Sequence, residues 1–223
     1  MAFNLYLVRH GQTLLNYYKR MQGWSDSPLT AQGLKDGEIA GKNLAEIKFD
    51  RVFRSDTMRT KETCEAILRQ NKFTTATPIA MRNFREQNFG YFEGSDDKQA
   101  WLMIGAAHGC SSYQEIMTKY SLRESRDFAK QADPFSDAED DAQFWTRVKI
   151  GFDYLRKIAQ PEENILVVSH GMTIMSIVHL FAPEIDFINN GAKNGSITKL
   201  RVDEHDFKVC YYNQVDPDFD YLQ

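Results

Sequence analysis

Two stretches of the chain share a pattern in which a short apolar run ends in a histidine and a glycine. Leu5 to Thr13 reads Leu-Tyr-Leu-Val-Arg-His-Gly-Gln-Thr, and Asn164 to Gly171 reads Asn-Ile-Leu-Val-Val-Ser-His-Gly. Apolar runs of this length are too short for a typical helix and are characteristic of buried strands. We therefore predict two buried strands, each of which ends at a turn that carries polar groups.

Several of the predicted strands are followed by segments in which apolar residues recur at helical spacing. Thr30 is expected to cap a helix whose apolar side carries Leu34, Ile39, Leu44 and Ile47. The acidic run 133–141 is expected to be a solvated loop. The pattern further predicts strands over 50–55 and 77–81 and a terminal hairpin over 197–202 and 207–212. A helix that runs to about Gln70 is expected between the first two of these strands, capped by Ser55 or Asp56. Short helices are expected over 95–141, capped by Ser95 and by Ser112 with Glu115, and a long helix follows them with Phe144, Val148, Phe152 and Leu155 on its apolar side.

Strands that alternate with helices favour a largely parallel sheet covered on both faces. We predict an α/β fold, a three-layer sandwich with a mostly parallel central sheet flanked by helices and a small helical insertion at about 95–140. The length of 223 residues suits one domain over 1–223. No repeat or linker composition divides the chain.

Composition and charge narrow the range of partners. The chain has 42% hydrophobic and 26% charged residues with a net charge of -4, which gives no electrostatic case for nucleic acid or an anionic membrane. Neither a signal peptide nor an apolar run long enough to span a membrane is evident. Cys64, Cys110 and Cys210 are odd in number and lack Cys-x-x-Cys spacing, so a reducing, cytoplasmic location is expected. A homodimer remains open.

Candidate chemistry lies where the predicted strands end. Arg9 offers a planar fork of donors for phosphate or carboxylate, and His10 can act as base, nucleophile or metal ligand. Arg59 falls in the first turn after the strand at 50–55, and His170 ends the strand that resembles the first. Ligands of parallel sheets bind at the carboxyl ends of strands, so these four side chains are expected to form one anion pocket.

Alternative chemistries fit these residues less well. Arg-His-Gly alone could be a solvated strand end. Two arginines would repel a metal cation, and no carboxylate stands at ligand spacing from either histidine, so we expect neither a metal nor another cofactor. A nucleotide-binding oxidoreductase is disfavoured, because no Gly-x-Gly-x-x-Gly follows the first strand.

Four motifs, in this order, resemble those of the histidine phosphatase superfamily, in its phosphoglycerate mutase-like branch. They are Leu-Val-Arg-His-Gly-Gln-Thr, Ser-Asp-Thr-Met-Arg-Thr-Lys-Glu-Thr, Arg-Glu-x-x-Phe-Gly-x-x-Glu-Gly and Val-Ser-His-Gly. The resemblance extends over nearly the whole chain. It implies a phosphoryl-transfer enzyme of α/β fold.

The resemblance also implies roles for individual residues. His10 would be the nucleophile that becomes phosphohistidine, and Glu86 would be the proton donor. The residues alone do not choose between Glu86 and Glu93; the family pattern favours Glu86, with Glu93 as a structural hydrogen-bond acceptor. Residues 95–140 would form a variable cap over the pocket. Further positions would hold the phosphoryl group (Arg9, Arg59 and His170) or lie near the substrate (Gly11, Asn16, Gln22, Gly23 and Gly171).

The chemistry of phosphomonoesters is consistent with these roles. A neutral imidazole avoids the repulsion that an anionic nucleophile would meet, and arginines offset transition-state charge. The leaving alkoxide needs a proton, which Glu86 can supply if its aromatic neighbours, Phe84, Phe89, Tyr91 and Phe92, keep it protonated.

Three functions remain open at this stage. Glycolytic mutases of the family typically carry Glu-Arg-His-Tyr-Gly where this chain has Glu86-Gln87-Asn88-Phe89-Gly90, so extra basic residues for a second anionic group are missing. This favours a phosphatase acting on a small phosphorylated metabolite. A cofactor-dependent phosphoglycerate mutase and a non-catalytic binding protein are the alternatives. Aromatic residues and methionines of the cap could line the pocket or pack its helices.

Overall fold

A six-stranded sheet forms the centre of the computed structural model, which describes residues 2–204 and 206–223. The strand order is β3-β2-β4-β1-β5-β6, and β1 to β4 are mutually parallel while β5 runs antiparallel to β1 and β6. The mostly parallel sheet and the terminal hairpin are therefore confirmed. The strands are β1 (Phe3–Arg9), β2 (Arg51–Arg54), β3 (Ile79–Ala80), β4 (Asn164–Ser169), β5 (Ile197–Val202) and β6 (Phe207–Gln214).

The two strands that end in His-Gly are neighbours in this sheet. Arg9 pairs with Ser169 at the end of the β1–β4 ladder, and the His10 amide then donates to the Ser169 carbonyl at 3.0 Å. This register places His10 and His170 side by side at the carboxyl edge. Both strands are almost fully buried, which explains their continuous apolar runs.

Helices cover both faces of the sheet. One apolar cluster joins α7 and α8 to one face, and a second joins α2 and α3 to the other, so the three predicted layers are confirmed. The helices are α1 (Leu14–Tyr17), α2 (Ala31–Asn43), α3 (Met58–Gln70), α4 (Asp97–Ala106), α5 (Tyr113–Lys119), α6 (Leu122–Ala132), α7 (Asp141–Ile158) and α8 (Gly171–Phe181), with short 3-10 turns at Arg82–Phe84 and Gly90–Phe92.

The predicted apolar side of α2 is wrong in part. Leu34 and Ile39 are 44% and 42% exposed, whereas the buried residues of the helix are Gly33, Gly37, Ala40 and Gly41. A Cβ on Gly37 would lie 2.9 Å from the Ala66 Cβ, so α2 and α3 pack through small residues with their backbones close together.

Several local predictions about capping and exposure also need correction. Thr57, not Ser55 or Asp56, precedes α3, and Asp96, not Ser95, caps α4. Ser112 caps α5 as predicted, but the Glu115 carboxylate accepts from Ser111 and does not complete a box with Ser112. The acidic run is not simply solvated: Asp133 is buried, because its carboxylate accepts backbone N–H groups of the turn that it stabilises.

Helices α4 to α6 build a third apolar cluster, which also includes Met172 at the start of α8. The aromatic residues Trp101 and Tyr113 pack within it, with ring centroids 4.8 Å apart. Across the described residues, none of the helices has both the length and the apolar character needed to cross a membrane.

Candidate active site

The rings of His10 and His170 face each other at the carboxyl edge of β1 and β4. Their centroids are 5.2 Å apart and the ring planes are inclined by 65°. Both side chains are buried, because β1 and β4 deliver them directly from the core of the sheet. The sequence prediction that the two strand ends converge is therefore confirmed.

Hydrogen bonds give the two imidazoles opposite tautomers. Nδ1 of His10 lies 2.8 Å from the Gly11 carbonyl, which can only accept, so Nδ1 carries the proton and Nε2 retains a lone pair. Nδ1 of His170 lies 2.9 Å from Nη2 of Arg59, which can only donate. A neutral His170 therefore carries its proton on Nε2.

Burial and neighbouring charges keep both rings neutral. Desolvation, reinforced by the positive charges of Arg59 and Arg9, lowers the pKa of His10 well below its ordinary value of 6.5. Desolvation and Arg59 likewise lower the pKa of His170, with contributions from His10 and Arg147. The pair thus combines a lone-pair nitrogen on His10 with an N–H donor on His170.

Arg59 enters the site from the first turn of α3 and is fully buried. Its guanidinium donates to the carbonyls of Gly23 at 2.7 Å and Ser25 at 2.8 Å, and it pairs with Asp26 at 3.0 Å. Burial lowers the pKa of this guanidinium, and the negative charge and hydrogen bond of Asp26 partly offset that decrease. Arg59 therefore fixes the loop of residues 23–26 against the histidine pair.

Arg9 is the last residue of β1, and its side chain passes alongside the start of α8. Its Nη1 donates to the Ala192 carbonyl at 2.5 Å. A Cβ on Gly171 would lie 3.1 Å from Nε of Arg9, so the glycine leaves room for the guanidinium. Gly11 serves close packing in the same way, since its Cβ would lie 2.0 Å from the Gly33 carbonyl oxygen.

Three buried N–H donors at this edge have no acceptor among the described residues: Nε of Arg9, Nε of Arg59 and Nε2 of His170. A buried donor without a partner is costly, typically by about 1–3 kcal/mol. Three such donors beside two neutral imidazoles are suited to an oxygen-rich anion, and a phosphoryl group offers several acceptor oxygens.

Glu86 lies against the N-terminus of α8. Its Oε2 accepts from the Met172 amide at 2.8 Å, and its Oε1 accepts from the Thr173 amide at 2.9 Å and the Gln87 amide at 3.2 Å. The Thr173 hydroxyl lies 2.9 Å from Oε1 and 3.0 Å from the Arg85 carbonyl, and its one proton is shared between these two acceptors. N–H and O–H donors therefore surround the carboxylate. The sequence prediction that aromatic side chains surround the Glu86 carboxyl group is wrong in this respect. Tyr91, one of those aromatic residues, is 51% exposed.

Glu93, the other candidate carboxylate, holds a loop. It accepts hydrogen bonds from the amides of Gly23, Trp24, Ser25 and Phe89 and from the Ser25 hydroxyl. Arg59 holds the carbonyls of the same loop. These contacts fit the expectation that Glu93 is a structural acceptor.

Asn16 and Gln22 contact the turn around Thr13 rather than the histidines. The Asn16 side chain accepts from the Thr13 amide at 3.3 Å, and Gln22 accepts from the Thr13 hydroxyl at 2.5 Å. Asn194 donates to the His10 carbonyl at 3.0 Å and to Asn16 at 3.3 Å, which links this turn to the site.

Sequence reasoning missed Thr173, Asp26 and Asn194. Thr173 could have been found, because it is in the first turn of the helix that follows His170-Gly171, where backbone donors attract a carboxylate. Asp26 and Asn194 lie in loops, and nothing local to the sequence assigns their partners. Of the histidines without a predicted role, His108 stacks on Phe128, His179 contacts Phe187, and His205 lies outside the described residues.

No group of three or more His, Cys, Asp or Glu side chains within residues 2–204 and 206–223 is arranged to hold a metal ion. The polar groups of the site are instead donors and neutral imidazoles. This set is matched to an anion.

Comparison with protein families matches residues 5–215 to the histidine phosphatase superfamily, branch 1. The chain belongs to this superfamily. Fructose-2,6-bisphosphatase TIGAR of Xenopus laevis is 38% identical over 50% of this chain and 42% of that protein. A 2,3-bisphosphoglycerate-dependent phosphoglycerate mutase of Pseudoalteromonas atlantica is 32% identical over 45% of this chain and 44% of that protein. The chain thus matches less than half the length of these two relatives.

Solved structures agree with the family assignment. A phosphoglycerate mutase from Bacillus anthracis has a TM-score of 0.90 and 32% identity over 97% of this chain and 95% of that one. The alpha-ribazole phosphatase of Shigella flexneri has a TM-score of 0.70 and 22% identity over 95% of this chain and 96% of that one, which supports the fold alone. Phosphatases and mutases therefore both occur among the similar proteins of this superfamily.

Proposed function

We propose that this protein hydrolyses a phosphomonoester by way of a phosphohistidine on His10, without a metal ion. The observation that carries the proposal is the neutral histidine pair at which three buried N–H donors, on His170 itself, Arg9 and Arg59, lack acceptors within the described part of the chain. A phosphoryl group would place oxygens against Arg9, Arg59 and His170, and its phosphorus against Nε2 of His10.

In the first step, the lone pair on Nε2 of His10 attacks phosphorus and the P–O bond to the alcohol breaks. The leaving oxygen takes a proton from Glu86, and the proposal therefore requires the neutral acid form of Glu86 when the ester is bound. Oε1 of Glu86 accepts from two backbone amides and lies against the Thr173 hydroxyl, whereas Oε2 accepts from one amide, so Oε2 has the free lone pair that can carry this proton. The arginines and the His170 N–H stabilise charge on the transferring group.

In the second step, water attacks the phosphohistidine while Glu86 accepts its proton. The P–N bond breaks, inorganic phosphate leaves, and His10 returns to its neutral form with the lone pair on Nε2. Each cycle consumes one ester and one water. No redox partner is required.

The substrate we propose is a small phosphorylated metabolite with one phosphate at the reacting site. Gln87 and Asn88 stand where glycolytic mutases of the family typically carry basic residues, and the Asn88 side chain donates to the Asp137 carbonyl at 2.8 Å. Fructose-2,6-bisphosphatase TIGAR, which is 38% identical over half of this chain, is named as a phosphatase. We also propose a cytoplasmic location, because Cys64, Cys110 and Cys210 are unpaired in the described chain. No nucleic-acid or membrane partner is proposed.

A phosphoglycerate mutase is the second candidate, favoured by the similarity to the Bacillus anthracis structure named as one. The two activities share the phosphohistidine and differ in whether water or a bound phosphoglycerate accepts the phosphoryl group. Isomerisation of 3-phosphoglycerate faster than hydrolysis of any phosphomonoester would replace the proposal with this one.

The test is hydrolysis of p-nitrophenyl phosphate in excess chelator between acidic and neutral pH. Wild type should turn over and His10→Ala should not. Equal turnover by both proteins would refute the histidine mechanism. If neither p-nitrophenyl phosphate nor phosphoglycerate reacts, a binding protein that retains His10, Arg59, Glu86 and His170 becomes the better explanation.

A further inference from the structure

Arg147 projects from α7 onto the segment that carries Glu86. Its Nη1 donates to the carbonyls of Asn83 and Arg85, each at 3.0 Å, and its Nη2 donates to the Glu86 carbonyl at 3.1 Å. With a longer contact of 3.4 Å from Nη1 to the Arg82 carbonyl, one side chain thus binds four carbonyls within five residues. The 12% exposure of Arg147 leaves these bonds largely shielded from water.

Glu139 fixes the orientation of that guanidinium. Nε and Nη2 of Arg147 donate to the two oxygens of Glu139, both at 2.8 Å, in a bidentate pair. Glu139 also exchanges backbone contacts with Asn88, since it accepts from the Asn88 amide through its carboxylate and donates its own amide to the Asn88 carbonyl. The Arg147–Glu139 pair therefore binds main-chain groups on both sides of Glu86, from Asn83 to Asn88.

Trp24 supplies a second donor to the same carbonyl. Its indole Nε1 donates to the Glu86 carbonyl at 3.0 Å. The guanidinium groups of Arg82 and Arg85 lie over the indole ring, 4.6 and 4.9 Å from its centre. Because Arg59 and Glu93 hold the loop of Trp24, the Glu86 main chain is tied to the loop beside the histidine pair.

We propose that Arg147 is a positioning residue that sets where the Glu86 carboxyl group meets the leaving oxygen. This inference rests on the proposed phosphatase function. Glu86 is held at both ends: α8 binds its carboxylate, while Arg147 and Trp24 bind its carbonyl. General acid catalysis requires the carboxyl oxygen within hydrogen-bond reach of the leaving oxygen, so a shift of the main chain would weaken proton transfer in particular.

The dependence on the leaving group separates positioning from general stability. p-Nitrophenolate is a weak base and leaves with little help from an acid, whereas the alkoxide of β-glycerophosphate needs its proton. Values of kcat/KM report the steps up to phosphoryl transfer for both substrates. A defect confined to proton transfer therefore lowers kcat/KM for β-glycerophosphate more than for p-nitrophenyl phosphate.

The experiment measures both kcat/KM values for wild type and four variants. Glu86→Gln should show the largest decrease in kcat/KM for β-glycerophosphate relative to p-nitrophenyl phosphate, because it removes the general acid, whose contribution is about 10²- to 10⁴-fold. Arg147→Gln should lose at least about tenfold more on β-glycerophosphate than on p-nitrophenyl phosphate. Trp24→Phe, which removes only one donor, should lose in the same direction by less. Arg51→Gln breaks another arginine–glutamate pair, with Glu163, and should not change the ratio.

The possible results lead to distinct conclusions. Equal losses on the two substrates in Arg147→Gln, or no loss at all, would overturn the positioning role. If Arg147→Gln does not fold, Arg147→Lys and Trp24→Phe decide the matter by the same ratio. Failure of wild type to hydrolyse either ester would contradict the proposed function itself, and with it this inference.

Discussion

Replacement of Glu93 by glutamine should destabilise the fold although the change is nearly isosteric. Oε2 accepts from the amides of Gly23 and Ser25 and from the Ser25 hydroxyl, and Oε1 accepts from the amides of Trp24 and Phe89. A glutamine has one oxygen, and its NH₂ would face at least two backbone N–H groups in either orientation. Those two donors would lose their acceptor.

The magnitude follows from the number of lost bonds. A donor left without its acceptor costs about 1–3 kcal/mol when buried, and this loop is half-buried, so two donors give about 2–4 kcal/mol. Urea denaturation measures the free energy of unfolding by linear extrapolation. Glu115→Gln is a matched control, because the hydrogen bonds of Glu115 with Ser111 all go to Oε2 and one amide oxygen can keep them.

Glu93→Gln should therefore lower the free energy of unfolding far more than Glu115→Gln. A loss within about 0.5 kcal/mol of wild type, the range of ordinary surface substitutions, would refute the reasoning that Glu93 anchors this loop.

Two further predictions concern the histidine pair and the packing beneath it. The pKa values of His10 and His170 lie well below 6.5 in the folded protein, so on acidification the unfolded chain binds protons that the folded chain does not. As the pH is lowered from 6.5, the free energy of unfolding should then decrease by up to about 1.4 kcal/mol per pH unit for each histidine. His10→Ala should make this dependence of the free energy of unfolding on pH less steep between pH 6.5 and 5, and an unchanged dependence would contradict a lowered pKa for His10. Gly11→Ala should destabilise by more than about 2 kcal/mol, because its Cβ would meet the Gly33 backbone, whereas Gly191→Ala should be close to neutral, since its nearest neighbour is 3.6 Å away. Thermal or urea unfolding of both variants checks this, and similar losses in the two would count against the close-approach argument.

The strand ends could be predicted from sequence because their signal is local. Four consecutive apolar residues, one polar residue and then His-Gly identify β1 and β4 without reference to the rest of the chain. The carboxyl-end rule for parallel sheets then brings His10, Arg59 and His170 together. The hydrogen bond between Arg59 and His170 and the ring contact between His10 and His170 agree with that prediction.

The surroundings of Glu86 could not be predicted, because its partners lie far away in sequence. Thr173 is 87 residues distant, and Arg147 is 61 residues distant. Their side chains carry no local pattern that assigns them to Glu86. The aromatic residues near Glu86 in sequence suggested apolar surroundings, whereas the fold places the N-terminus of α8 against its carboxylate.

The buried side of α2 differs from the predicted one for another physical reason, which is the size of the residues that form it. The spacing of large apolar residues favours a buried side that includes Leu34 and Ile39, but both are exposed. Gly33, Gly37 and Gly41 follow the same helical spacing, and they let the backbone of α2 approach its neighbours. Small residues at helical spacing were the better signal here.

The most direct test of the proposed mechanism is detection of the phosphoenzyme. Wild type is mixed with a phosphomonoester, quenched rapidly in alkali, digested and examined by mass spectrometry, with His10→Ala and His170→Ala treated in parallel. The mechanism predicts one acid-labile, alkali-stable phosphate on the peptide that contains His10, present in wild type and absent from His10→Ala. Turnover by wild type with the phosphate on His170, or on another residue, would contradict it.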